Sequence, residues 1–315
     1  MRVCIIGGSG FIGTHTVSEL SLNGHDVVVV DTNIRPKVKL VTSSSVEYRY
    51  GSVTDYQSLL SAMSDGSCFD IVLMLAAISD STQNIRTPSL AVDINIRGIV
   101  NVMEVMHVLK IPRIIFSSTV WVYSVTDVIN VDETQGLEIT SSDHVYTTCK
   151  LAGEAIIRNY SKLKNIKFTI MRYGIAYGPE CHPLTVVAKF IKNVLNGQDM
   201  IITGDGSIYR NFMYVTDHAR ANRLVIESSS CTDSIINFEG PEEITLTRVA
   251  EEVQALTGTK NNIQYTNERI GDYKGKVVSS SLARKLLGWQ PLCMFSAGMK
   301  STYNYYKNLH EAIDH

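Results

Sequence analysis

The chain has 315 residues, 44% apolar and 19% charged, with 29 basic against 31 acidic side chains and a net charge of −2. That balance describes a globular chain with ample core, and it excludes a basic nucleic-acid binder and a membrane-spanning protein from the expected classes, since no apolar run is long enough to cross a bilayer. Cys4, Cys68, Cys149, Cys181, Cys231 and Cys293 follow no C-x-x-C or metal-ligand spacing, and no basic segment leads into a cleavable apolar run at the N-terminus, so reduced thiols, no metal and a cytoplasmic setting are expected.

Arg2-Val3-Cys4-Ile5-Ile6 is a short apolar run ending in Gly7-Gly8-Ser9-Gly10-Phe11-Ile12-Gly13, after which Val17 and Leu20 mark the inward face of a helix. The pattern predicts strand, tight turn and helix. Glycines at 7, 10 and 13 let the backbone turn sharply and approach a diphosphate, whose charge suits the free N–H groups and dipole of a helix N-terminus. Gly24 ends that helix, and Val27 to Val30 form a fully buried second strand. Asp31 follows at the strand's carboxyl end, roughly 20 residues after the glycines, where a carboxylate accepts from the hydroxyls of an adenosine ribose. A carboxylate there repels a 2′-phosphate, so NAD is expected over NADP. Arg35 and Lys37 just downstream are either phosphate partners or solvated loop charges.

The alternation continues. Val46 to Tyr50 has the period of a strand, Tyr56, Leu59, Leu60 and Met63 have the spacing of a helix, and Ile71 to Leu75 is a buried strand ending in Ala76-Ala77, where small residues let a cofactor lie against the backbone. Pro88 predicts the start of a long helix through Leu109. Arg113 to Phe116 is a further strand, which places the hydroxyls of Ser117-Ser118-Thr119 at a carboxyl end facing the ligand crevice. Tyr146 and Lys150, four positions apart, share one helical face. An ammonium close by favours the phenolate and lowers a tyrosine from its usual ~10, so the pair predicts a proton shuttle. Phe168 to Arg172 is the next strand. The whole predicts an α/β doubly wound parallel sheet, followed after about residue 175 by an irregular, smaller lobe, with Gly288 as a late helix stop.

Several pieces then fall in one order: Gly7 to Gly13, Asp31, Leu75-Ala76-Ala77, Asn95 with Gly98 and Asn101, Ser117-Ser118-Thr119 before Val122-Tyr123, and Tyr146 with Lys150. After these come Arg172-Tyr173-Gly174 before Tyr177-Gly178-Pro179, Gly204-Asp205-Gly206 leading to Arg210, Tyr214-Val215 before Asp217, and Leu287-Gly288-Trp289-Gln290-Pro291. Together they resemble an extended short-chain dehydrogenase/reductase of the NAD-dependent epimerase/dehydratase group, which acts on nucleotide-diphosphate sugars. The resemblance implies an NAD-binding Rossmann-type domain over residues 1–175 and a nucleotide-sugar-binding lobe over 176–315, with some chain crossing between them. It implies that Thr119, Tyr146 and Lys150 are catalytic. It also implies that Gly7, Gly10, Phe11, Ile12, Gly13, Asp31, Asn33, Ser52, Val53, Leu75, Ala76, Ala77, Asn95, Ser117, Tyr146, Lys150 and Tyr173 hold NAD. Thr119, Arg210, Arg269 and Asp272 would hold the sugar nucleotide, and the guanidinium fork of the two arginines matches phosphate oxygens in pairs. A homodimer through the helices containing Asn95 to Leu109 and Tyr146 to Ser161 is implied as well.

Departures from that family pattern bear on the reaction. Met74 stands where a histidine is usual, Ser52 where an aspartate is frequent, Ile175 where an asparagine commonly meets the substrate, and Ser124 where glycine is common. Val120-Trp121 occupies the place of the Asp-Glu pair used by hexose 4,6-dehydratases. The expected activity is a nucleotide-sugar epimerisation by transient hydride transfer to NAD, resembling a UDP-sugar 4-epimerase. An atypical dehydratase, a net dehydrogenase or reductase, and a non-catalytic NAD sensor are the alternatives. The base, sugar and carbon stay open.

Overall fold

A computed structural model describes residues 1–35, 42, 46–259, 262–267 and 275–312. Its central sheet has seven parallel strands, in chain order Arg2–Ile6, Asp26–Asp31, Val46–Tyr50, Ile71–Met74, Arg113–Thr119, Lys167–Tyr173 and Ser234–Phe238. Across the sheet they lie third, second, first, fourth, fifth, sixth, seventh. The order reverses at the first strand, and the crevice over the carboxyl ends at such a reversal is where doubly wound sheets bind ligands. Alternation along each strand feeds two apolar layers: Cys4, Ile6, Val28 and Phe116 face one, while Val3, Ile5, Val27 and Val29 face the other. Burial on both faces explains why these strands read as unbroken apolar runs.

The expected long helix from Pro88 is interrupted. Pro88–Val92 and Gly98–Val108 are α-helical, but Asp93–Arg97 between them is a π turn. Its widened turn carries the buried Asn95, whose side chain accepts from the Ile78 N–H at 2.9 Å and donates to the Ile78 carbonyl at 3.0 Å. A single π turn inside a helix often marks a functional site.

After the sixth strand the chain builds the smaller lobe. Ile175–Tyr177, Tyr209–Tyr214 and Glu243–Thr245 form a three-stranded sheet, and Met200–Thr203 pairs with Ile263–Thr266. Helices Val186–Leu195, Leu246–Thr257 and Phe295–Glu311 close around a third apolar cluster. The chain also returns to the large sheet: helix Val215–Glu227 packs on helix Phe11–Leu22, with Asn222 donating to the Thr16 hydroxyl at 2.9 Å, and Ser234–Phe238 adds the seventh strand. The large lobe therefore draws on residues beyond 175. Gly288, at φ +61°, ends helix Ser281–Leu287 and delivers the fully buried Trp289 edge-on to Phe238 at 5.0 Å.

Candidate active site

The glycine turn and the fourth strand meet back to back. Gly7 has φ +85°, and a methyl group there would lie 2.5 Å from the Ala76 nitrogen; one on Gly13 would lie 2.6 Å from the Gly7 oxygen. Leu75 and Ala76 both donate to the Ile6 carbonyl, at 2.8 and 2.9 Å, which fixes this close approach. Helix Phe11–Leu22 begins without a side-chain cap and has no acidic residue in its first turn, so its N–H groups remain suited to an anion. Asp31 is held as a carboxylate hook: Oδ2 accepts from Ser9 N at 3.0 Å and Oδ1 from Asn33 N at 2.9 Å. A cradle that any Cβ would fill, an open helix terminus and a fixed carboxylate at the second strand's end fit a dinucleotide. The half-exposed Ser52 hydroxyl shares a hydrogen bond with Thr54 at 2.9 Å, and the Val53 carbonyl is anchored by Asn101 at 2.7 Å. Phe11 and Ile12 pack toward the smaller lobe's core and the sheet respectively.

Thr119 ends the fifth strand, and Tyr146 and Lys150 lie on helix Val145–Lys164. The structure brings the three together. Tyr146 hydrogen-bonds with the Thr119 hydroxyl, and the Lys150 ammonium lies 5.6 Å from the Tyr146 ring centre. Lys150 is buried and donates to the Ser117 carbonyl at 2.6 Å. Burial pushes the Tyr146 phenol above its ordinary value, and Thr119 only partly offsets this. Burial likewise brings Lys150 down to about 8, against smaller upward pulls from Cys149 and Glu154. Desolvation thus dominates at both groups and favours the neutral form of each, opposite in sign at Tyr146 to the expected lowering.

A cavity of about 420 Å³ opens between the lobes. Ala77, Ile78, Asp80 and Trp121 bound it on the large lobe, and Ile175, Lys189 and Arg210 on the smaller one. The Arg210 guanidinium lies 5.8 Å from the centre of the Trp121 ring. Arg269, Asp272 and Lys37 lie outside the described residues.

Three residues expected at the cofactor make hydrogen bonds within the protein. The Tyr173 hydroxyl donates to Asn222 and its ring stands edge-on to His218 at 5.0 Å, on the core side of the sheet. Ser117 donates its hydroxyl to the Met74 carbonyl at 2.9 Å, and its own carbonyl anchors Lys150. Asn95 clamps Ile78, which lines the cavity wall. In each case a neighbouring element satisfies a buried polar group. Sequence reasoning missed Glu154. It lies one turn beyond Lys150, accepts from the Ser118 hydroxyl at 2.5 Å and pairs with Arg172 through both oxygens at 3.0 and 2.7 Å. Its spacing of four from Lys150 is the available signal.

Residues 3–237 match the model of the NAD dependent epimerase/dehydratase family. With this sheet order, glycine turn and Thr119–Tyr146–Lys150 cluster, the chain belongs to that family. It is 28% identical over 317 residues to a putative UDP-glucose 4-epimerase of Methanocaldococcus jannaschii, covering 97% of this chain and 98% of that one. Among solved structures it is similar to a UDP-glucose 4-epimerase with UDP-glucose from Thermotoga maritima (TM-score 0.89, 28% identity, 98% of this chain and 99% of that one). It is also similar to the Thermus thermophilus UDP-glucose 4-epimerase in complex with NAD (TM-score 0.83, 27% identity, 98% and 99%).

Proposed function

We propose that the protein is an NAD-dependent epimerase of a nucleotide-diphosphate sugar, of the UDP-sugar 4-epimerase kind. The observation that carries this reading is the Thr119–Tyr146–Lys150 cluster at the sheet's carboxyl end, beside a cavity that Arg210 lines. Bound NAD supplies a reversible hydride acceptor. The Gly7 to Gly13 turn binds its diphosphate and Asp31 its ribose. Thr119 and Tyr146 hold the oxygen of the sugar hydroxyl, Tyr146 takes its proton, and Lys150 supports the charge that then develops on the phenol. The same tyrosine returns the proton once the sugar has presented its other face. Arg210 grips a phosphate, with Arg269 and Asp272 as further partners.

Dehydration by the usual 4,6 route has no support in this site. Val120 is buried and Trp121 offers only an indole N–H, so neither supplies a titrating proton near neutral pH. Asp80 lines the cavity, but its carboxylate already caps the Ser81–Arg86 helix through Gln83 N at 2.7 Å. Cys149 is buried and burial pushes its thiol up. Incubation with a panel of UDP-, dTDP-, GDP- and CDP-sugars and no added cofactor tests the reading by proton NMR and mass spectrometry. An epimer of unchanged mass is expected. Loss of one water, or an oxidised sugar with accumulated NADH, overturns it in favour of the dehydratase or the net redox enzyme.

Among the described residues no helix is long and apolar enough to cross a membrane. The six cysteines are all free, which suits a reducing cytoplasm. Val108 and Leu163 are 54% and 76% exposed on helices Gly98–Val108 and Val145–Lys164, and these two helices form the homodimer interface of our reading. Light scattering at micromolar concentration is expected to give twice the chain mass; a monomer ends that assignment.

A further inference from the structure

The catalytic helix has an unusual cap. Helix Val145–Lys164 starts at His144, whose backbone is extended and whose Nδ1 accepts the Tyr146 N–H at 3.2 Å. N-caps are ordinarily Ser, Thr, Asp or Asn, whose oxygens accept at any physiological pH. An imidazole nitrogen accepts only while it is unprotonated, so this cap exists only in the neutral tautomer that carries its hydrogen on Nε2. The capped N–H belongs to the residue proposed above as the acid/base. The His144 ring also stands edge-on to Tyr146 at 6.4 Å and to Trp121 at 5.7 Å, and Trp121 N donates to the Thr119 hydroxyl at 3.2 Å. One ring therefore touches the phenol's own turn and the turn that follows the threonine.

We propose that His144 is a positioning residue for Tyr146: its neutral imidazole fixes the first turn of the catalytic helix, and protonation releases that turn and sets the acid limb of activity. The inference rests on the epimerase reading for its kinetic consequence, though not for its structural one. Protonated Nδ1 would point a hydrogen at the Tyr146 N–H, placing two donors face to face. It would also add a cation to the positive end of a helix that has no acidic residue in its first turn. The groups around the ring do not oppose this. Trp121 comes from the turn after the fifth strand and Tyr146 from the ring's own helix; Arg210 reaches the indole, Lys150 points to Ser117, and the adjacent Asp143 is exposed. Burial lowers His144 from the usual 6.5. Its neutral form thus predominates above that value, and the cap is lost as pH falls through the lowered one.

His144→Asn replaces the titrating acceptor with an amide oxygen that caps at every pH, and His144→Ala removes the acceptor. With the natural chain, kcat is expected to fall on the acid side below pH 6.5, whereas His144→Asn lacks that fall. His144→Ala should be slower across the range by about five- to tenfold, the rate equivalent of one lost cap. A second readout needs no turnover: in ¹⁵N-tyrosine-labelled protein, with the signal assigned by its loss in Tyr146→Phe, the Tyr146 amide shift should inflect with pH in the natural chain and not in His144→Asn. An inflection without turnover on any sugar nucleotide leaves His144 as the cap and sinks the epimerase reading. An acid limb and a Tyr146 inflection that persist unchanged in His144→Asn overturn the proposal.

Discussion

Tyr146→Phe is expected to lower kcat by about 10²-fold or more, the usual scale for removing a positioned acid/base. The substitution deletes one oxygen and leaves the ring where it packs, beside His144 at 6.4 Å and Lys150 at 5.6 Å. Thr119 keeps its place at the strand end, and the glycine cradle proposed for the dinucleotide is untouched, so NAD titrated calorimetrically should still bind. The loss should fall on kcat and kcat/KM together, because the phenol's interaction strengthens as the proton moves. Full activity in the variant would end the role assigned to Tyr146. Unaltered NAD binding with no turnover in the natural chain would point instead to a sensor.

Much of this site was legible in the sequence because its parts are local. The glycine turn, the acid that follows the second strand and the Tyr-x-x-x-Lys spacing each lie within a single strand–turn–helix unit, whose geometry short-range rules set. What escaped depends on contacts between distant segments. Asn95 bonds Ile78, Tyr173 bonds Asn222 and Ser117 bonds Met74, and no pattern within any one element says which way such a side chain turns. The sign of the Tyr146 shift escaped for a related reason. Spacing on a helix places an ammonium near a phenol, but only the packed protein determines how strongly burial acts on each. The return of Val215–Glu227 and Ser234–Phe238 to the large sheet is likewise a matter of topology, since by sequence they follow the smaller lobe's first elements.

The second large effect concerns stability. Glu154→Ala is expected to cost about 3–5 kcal/mol, the range for breaking a buried ion pair from one side. Most ion pairs among the described residues are partly solvated, where removal costs about 0–1 kcal/mol. Glu154 and Arg172 differ, with side chains only 7% and 5% exposed. Arg172 would keep its hydrogen bond to the Tyr123 hydroxyl, at 2.9 Å, and the more distant Glu133 carboxylate, but no carboxylate in contact. The Ser118 hydroxyl would lose its acceptor too, in the strand that carries both Thr119 and the carbonyl holding Lys150. At roughly 2 °C per kcal/mol for a chain of this size, the thermal midpoint should fall by roughly 6–10 °C in a circular dichroism melt. Replacing both partners, Glu154→Leu with Arg172→Met, should recover most of the loss, because it removes the stranded charge along with its neutraliser. A Glu154→Ala midpoint within about 2 °C of the natural chain would mean that water reaches Arg172 and that the pair contributes no more than a solvated one.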